Sequence, residues 1–216
     1  MNKRPAIFVV SQAGAALAQK MRQTLDAEIV GLAGRVEEAD QLVDKISDSI
    51  CSAFDEKRTI LAVLASGALI RILAPKLRDK HQEPPVLAIS EDGASIVPLL
   101  GGHRGANRLA GQISEALGAV AAVTTAGDVA LGVALDEPPV GYRLQNPGDA
   151  KGVMAKLLSG GGVTWRGDAI FEADLPVGDA VELCVTETQE QGSDARLVYH
   201  PQRFTLGLGC ARNADP

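Results

Sequence analysis

The chain has 216 residues, of which 46% are hydrophobic, 22% charged and 3% aromatic, and its formal net charge is −6 at pH 7. That balance suits a globular chain with one ordinary domain and a smaller one, and the acidity excludes a general nucleic-acid binder, which would be basic. With so few aromatics the core has to be built from Ala, Val, Leu and Ile, which suits parallel strands covered by helices better than a base-stacking surface. The first apolar run, Ala6–Val10, is shorter than the roughly 7–15 residues of a signal-peptide core. No apolar stretch approaches the roughly 18–20 residues of a membrane span. Cys51, Cys184 and Cys210 are odd in number and form no CxxC pair, so neither a disulfide framework nor a zinc site is indicated. The expectation is a cytoplasmic chain with no nucleic-acid partner, no membrane partner and no metal of its own.

In chain order, Ala6–Val10 reads as a buried strand. A helix follows, through Ala13, Leu17, Met21 and Leu25, whose four-residue spacing makes one apolar face. Glu28–Gly31 is a short second strand. Leu42, Val43, Ile46, Ile50, Ala53 and Phe54 form the apolar side of an amphipathic helix. Thr59–Leu64 is apolar almost throughout and hence central, and it runs through Ser66-Gly67 into a helix with Leu69, Ile72, Leu73 and Leu77 on one face. Val86–Ile89 is the next strand, Asp92-Gly93 a turn, and Ser95–Val97 a further short strand. Leu109, Ile113 and Leu117 give a helix over Asn107–Leu117 that stops at Gly118. Val120–Thr124 closes the series as a strand. Strands alternating with helices predict an α/β fold: a parallel, Rossmann-like sheet with helices on both faces, over residues 1–127.

The character changes after Gly127. Asp136-Glu137-Pro138-Pro139 reads as a linker, Asp149 starts a helix ending near Leu158, and strands follow at Val163–Trp165, Ala180–Thr186 and Arg196–Tyr199. Residues 128–204 are therefore expected to be a small α+β domain. Phe204–Cys210 has the apolar pattern of a new strand, so residues 205–216 read as the first strand of a truncated C-terminal domain. Trp165 reads as a packing residue.

Two segments are candidates for chemistry. Leu99–Ala110 (LLGGHRGANRLA) places three glycines between an apolar run and a helix. Glycines there let a backbone approach a ligand, and the N–H groups of a helix start attract anions. His103 is suited to act as a general base near neutral pH, Gly101 and Gly102 to offer backbone donors, and Asn107 to cap the helix or hold a ligand carbonyl. On the residues alone, a glycine turn with a solvated histidine is the plainer reading. The second segment is Ala65–Lys80. Ser66-Gly67 follows the central strand and opens a helix, where open α/β sheets bind ligands. Ser66 lacks a GxSxG elbow and suits hydrogen bonding rather than nucleophilic attack. Arg71 is suited either to an anion or to solvent. Thr124 and Thr125, with Asp128, stand at another strand end and offer further hydrogen bonds, or a turn in which Asp128 only caps the backbone. Residues 66–110 carry six Lys and Arg against four acids, whereas residues 111–204 carry six against thirteen. The net-basic stretch thus coincides with both glycine turns, as an anionic ligand would want. No GxGxxG or GxxxxGK[ST] occurs, which counts against a general nucleotide-binding domain.

Residues 59–128 resemble the N-terminal domain of the cobalt-precorrin-5A hydrolase (CbiG-type) family. The family has a strand and then G-I-A-V-R-x-I-A-P-x-x-x-D-K, matched here by Gly67–Lys80. An apolar strand with an acidic turn follows (Pro85–Gly93), then L-L-S-G-H-x-G-G-A-N-x-L-A (Leu99–Ala110), then T-T-A-x-D (Thr124–Asp128). Asn146–Leu158 resembles the start of the family's middle region, and Leu206–Arg212 the opening of its C-terminal domain. Two departures stand out: Gly101 replaces the family's serine, and one glycine is missing between Arg104 and Ala106.

The resemblance implies a contracted, polycarboxylate tetrapyrrole substrate that itself carries the cobalt, with no separate cofactor. It implies opening of a δ-lactone and release of a two-carbon fragment as acetaldehyde. His103 would be the base, the Gly101-Gly102 backbone the oxyanion or carboxylate donors, and Asn107 and Arg71 would orient the substrate, with Ser66, Gly67, Thr124 and Thr125 as further binding residues. A hydrolase fragment is the first reading. A non-catalytic corrinoid-intermediate binding module is the second, as the N-terminal part of a fusion with the precorrin-3B C17-methyltransferase, which the altered glycine loop favours. A homodimer, or covalent fusion to another pathway enzyme, is compatible with either.

Overall fold

The computed structural model describes residues 3–80 and 82–203, so the expected strand at Phe204–Cys210 and the domain opening at 205–216 lie outside the described residues. The chain divides into two compact units, Met1–Val129 and Ala130–Pro216.

The first unit holds strands β1 (Ala6–Val9), β2 (Glu28–Leu32), β3 (Gln41–Val43), β4 (Ile60–Val63), β5 (Val86–Ile89), β6 (Ser95–Leu100) and β7 (Val120–Ala121) in one sheet of order β3-β2-β1-β4-β5-β6-β7. Its main helices are α1 (Gln12–Arg22), α2 (Ile46–Asp55), α3 (Ser66–Leu73) and α4 (Ala106–Leu117). The strands are apolar at nearly every position because both sheet faces are covered. Ile7, Val9, Leu61, Val63, Leu87 and Ile89 bury one face against Leu17 and Met21 of α1 and Ala110 and Ile113 of α4. Phe8, Ile60, Ala62, Val86 and Ala88 bury the other against Ile50 and Phe54 of α2 and Leu69 and Leu73 of α3. The expected α/β fold with helices on both faces is present.

Three details differ from the sequence reading. Leu42 and Val43 belong to β3, an edge strand paired in parallel with β2. Its apolar residues merely continue the spacing of α2, and Leu42 is exposed. The strand at the end of the series covers only Val120–Ala121, and a short helix, α5 (Ala126–Leu131), follows it. The third matters most for function. β6 runs antiparallel to β5, with Ile89 opposite Ile96 and Val86 opposite Leu100. Only Ser90–Ala94 separate the two strands, too short a link for a parallel crossover, which takes a dozen or more residues. β7 then pairs in parallel with β6, so these two strands end at the opposite edge from β1, β4 and β5.

The second unit is a four-stranded sheet of order β8-β11-β10-β9, made of β8 (Tyr142–Leu144), β9 (Val163–Arg166), β10 (Val181–Val185) and β11 (Arg196–Pro201). β9, β10 and β11 are parallel, and β8 is antiparallel to β11. One face buries Val163, Leu183, Leu197 and Tyr199 under α6 (Ala150–Leu158), with Val153 and Leu157 contributed by the helix. Asp149 is the N-cap of α6. Trp165 packs 6.2 Å from Phe171, which meets Tyr199 edge-on at 5.5 Å. The other face carries Arg143, Thr164, Arg166, Glu182, Arg196 and His200 around the buried Cys184 and Val198. β8, three residues long, was not anticipated, because a strand that short leaves no periodic signal.

Candidate functional site

The glycine segment is shaped by the end of β6. Register shifts between Val86 and Leu87, so Leu99 is an extra residue beside Pro98, which has no N–H for the ladder. Such a bulge re-aims the chain, which turns at Gly101 with φ +68°. A Cβ there would lie 2.9 Å from the Pro84 carbonyl oxygen and from Pro85 N and Cα. Only glycine fits this position, both for its φ and for its contacts. The Gly101 carbonyl accepts from Arg104 N at 2.8 Å and Ala106 N at 3.1 Å. Those bonds close a 3-10 turn over Gly102–Arg104, with His103 at its centre.

That turn opens α4. The N-cap is Gly105, at φ +100°, with no side-chain cap bond and no acid in the first turn. Asn107 is not the N-cap, as the sequence had allowed; it lies on the buried side of α4 and is 9% exposed. Its Nδ2 donates to Thr125 Oγ1 at 2.9 Å, and a Cβ on Gly102 would approach its amide to 3.2 Å. The carboxyl ends of β6 and β7 are thereby tied together beneath the glycine turn. Thr124 stands beside Thr125 and is exposed. The structure thus brings Gly101, Gly102, the His103 backbone, Asn107, Thr124 and Thr125 to one edge of the sheet.

Ser66, Gly67 and Arg71 do not join them. Ser66 is exposed and starts α3 at the carboxyl end of β4, across the full length of the strands from Gly101. Arg71 donates through Nη1 to the Gly67 carbonyl at 2.8 Å within its own helix. The reversal of β6 separates the two glycine turns, which sequence spacing had left free to share one edge.

Charge distinguishes the two edges. At the carboxyl ends of β1, β4 and β5, the Ser11 hydroxyl accepts from Gly14 N at 3.1 Å and meets the Glu91 carboxylate. Asp92 is held below the usual carboxylate range by the Ser90 hydroxyl and then by the Ala94 amide, so that edge keeps its negative charge. The edge of the glycine turn carries the exposed Arg104 and Arg108, and the loop entering β5 adds Arg78 and Lys80 against Asp79 and the buried Glu83. A polyanionic ligand is attracted to the second edge and repelled from the first. Gly101 and Thr125 follow the carboxyl ends of β6 and β7, and open α/β sheets bind ligands beyond strand carboxyl ends. Among the described residues, no group of three or more His, Cys, Asp or Glu is placed to hold a metal ion. Among them, too, no helix is long and apolar enough to cross a membrane.

A family model described as cobalamin synthesis G N-terminal matches residues 48–128, which include both glycine turns. The chain belongs to the CbiG-type family. This CbiG-type chain is 33% identical to a cobalt-precorrin-5A hydrolase of Salmonella typhimurium, over 96% of its own length and 66% of the relative's. It is 28% identical to a cobalt-precorrin-5A hydrolase of Priestia megaterium, over 97% and 66% respectively. It therefore spans 66% of the length of the curated relatives it matches. A crystal structure of a cobalamin biosynthesis protein G homologue from Sulfolobus solfataricus superposes with a TM-score of 0.50 at 20% identity, covering 92% of this chain and 60% of that one. That likeness concerns the fold.

Proposed function

We propose that this CbiG-type chain carries the catalytic turn of a cobalt-precorrin-5A hydrolase, at the carboxyl ends of β6 and β7. The reading is carried by one observation: Asn107, buried, donates to Thr125 at 2.9 Å, joining two of the segments that resemble the family at the edge rich in arginine and lysine. A substrate bearing many carboxylates is steered there by charge. Opening a lactone needs a base that takes a proton from water as its oxygen adds to the ester carbonyl, and donors that stabilise the oxyanion so formed. His103 is the base. The Gly101-Gly102 backbone supplies the donors. Thr124 and Thr125 hold the substrate's polar rim, and Asn107 positions the turn. Ser66, Gly67 and Arg71 serve at most a distant part of a large ligand. Cobalt arrives with the substrate, so the chain needs no cofactor of its own.

Gly101 favours a second reading. The family resemblance places a serine there, and the contacts of Gly101 with Pro84 and Pro85 leave no room for one. A chain that binds the corrinoid intermediate without hydrolysing it, within a longer parent that supplies methyl transfer, fits that departure. Mixing the chain with cobalt-precorrin-5A under anaerobic conditions separates the two. Acetaldehyde released by the wild type and lost in His103→Ala supports the hydrolase. A shifted substrate absorption spectrum without acetaldehyde supports the binding module.

A further inference from the structure

The face of the second sheet opposite α6 carries a feature that neither reading uses. Arg143 on β8 stands directly opposite His200 on β11, so the two share one face of the sheet. Together with Gln145, Glu187, Gln189 and Arg203 they line an open cavity of about 530 Å³. That volume falls within the range of roughly 300–1,000 Å³ typical of small-molecule sites.

The floor of the cavity is fixed. His200 is buried, with Nδ1 2.8 Å from the Thr186 carbonyl and Nε2 2.6 Å from Gln145 Oε1. Gln145 is in turn oriented by donating Nε2 to the Glu190 carbonyl at 2.6 Å. Both ring nitrogens are thus engaged inside the protein, and His200 serves as a positioning residue. Most arginines on this face are already paired. Arg166 meets Glu190 at 3.0 Å, Arg196 meets Glu182 at 2.7 Å and Glu190 at 2.9 Å, and Arg203 pairs with Glu187. Arg143 has no acid partner among the described residues, although it borders the cavity and is exposed.

We propose that this cavity binds a carboxylate-bearing small molecule, with the Arg143 guanidinium as its anchor. An unpaired arginine presents a planar fork that matches a carboxylate with two parallel hydrogen bonds. The Gln189 amide adds a neutral donor. Glu187 leaves the lining with one arginine charge in excess, which suits a monoanionic carboxylate and disfavours a more highly charged phosphate. The carboxylate site does not rest on the hydrolase reading.

The test uses the full chain, with acetate, inorganic phosphate and uroporphyrin III (a metal-free octacarboxylate macrocycle) as probes, followed by amide NMR. Acetate and uroporphyrin are expected to shift the resonances of Arg143, Gln145 and His200, and phosphate to do so more weakly. Arg143→Gln is expected to weaken uroporphyrin binding by about tenfold, which is about 1.4 kcal/mol, and Arg143→Lys to recover part of it. Unshifted β8 and β11 resonances, or equal affinity in Arg143→Gln, would overturn the proposal. Unchanged amide spectra of the variants away from the cavity guard against misfolding. The cavity and the hydrolase reading fail separately. Acetate-shifted resonances in a chain that releases no acetaldehyde leave the cavity standing. Acetaldehyde release with an unshifted cavity removes only the cavity.

Discussion

Replacing Gly101 by alanine tests whether the glycine turn is built as described. The substitution adds one methyl group and no new polar atom. At φ +68° an L-residue costs about 1–2 kcal/mol. The new Cβ would also lie 2.9 Å from the Pro84 oxygen and from Pro85 N and Cα, and backbone atoms cannot swing aside as a side-chain end would. Overpacking of that kind costs roughly 1–3 kcal/mol. The lower entropy of the unfolded alanine chain returns about 0.4–1 kcal/mol. The net expectation is a loss of about 2–4 kcal/mol. Gly118→Ala is the matched control, because Gly118 has φ +66° with nothing within 4 Å of a Cβ, so only the conformational part applies, about 1 kcal/mol after the same offset. Urea unfolding followed by far-UV circular dichroism reads both. With a slope of roughly 2 kcal/mol per molar urea, Gly101→Ala should lower the midpoint by about 1–2 M and Gly118→Ala by about 0.5 M. Equal shifts for the two variants, or a larger one for Gly118→Ala, would refute the packing of Gly101 on Pro84 and Pro85.

Other consequences follow from single contacts. Asn107→Ala leaves the Thr125 hydroxyl without the donor seen at 2.9 Å; a double-mutant cycle with Thr125→Val should give a coupling of about 1 kcal/mol in thermal unfolding, and a coupling near zero would dissolve the link between β6 and β7. In the second unit the Tyr199 hydroxyl donates to the Leu135 carbonyl at 2.8 Å. Tyr199→Phe should therefore cost about 1–2 kcal/mol, read as a lower unfolding midpoint by Trp165 fluorescence. Burial, reinforced by Asp136, pushes the Tyr199 phenol far above its ordinary range, so its ultraviolet ionisation signal should appear only as the protein unfolds in alkali. Asp40 lies below its ordinary carboxylate value, held first by the Ile29 amide at 2.8 Å and then by Arg22 at 3.0 Å. A depressed folded value means this stabilisation is complete above the unfolded pKa, about 3.9, and disappears as pH falls through the folded one. Asp40→Asn should lower stability at pH 7 and flatten its decline below about pH 4; an unchanged acid limb would contradict this.

The α/β fold was legible because a sheet covered on both faces makes its strands uniformly apolar, as in Ile60–Val63 and Val86–Ile89, while each helix needs only one apolar stripe. What misled was direction and adjacency. Asp92-Gly93 was recognised as a turn, yet the shortness of Ser90–Ala94 already required β6 to run back beside β5, and that reversal carries Gly101 away from Ser66. The shortness of the link was a usable signal. The pairing of Asn107 with Thr125 had none, since residues 18 positions apart meet only when β7 lies beside β6. Leu42 and Val43 read as helix because an edge strand hydrogen-bonds through its backbone and leaves its side chains uncommitted. Arg143, Gln145 and His200 were equally invisible as a group, because β8 reaches β11 across most of the second unit. The family blocks, by contrast, were legible in order and spacing, and the match over residues 48–128 agrees with them.

The central claim is that substrate binds at the carboxyl ends of β6 and β7 and not at those of β1 and β4. The most direct measurement is the dissociation constant for cobalt-precorrin-5A, from the anaerobic shift of its absorption spectrum, in Arg108→Glu and in Glu91→Gln. Arg108→Glu reverses a charge beside the glycine turn, and Glu91→Gln removes one beside Ser11. The predicted result is binding weakened about tenfold or more by Arg108→Glu, as expected for a lost charge contact of roughly 1.5–3 kcal/mol, with Glu91→Gln within twofold of wild type. Unchanged binding in Arg108→Glu with severalfold tighter binding in Glu91→Gln would place the substrate at the other edge and contradict the account.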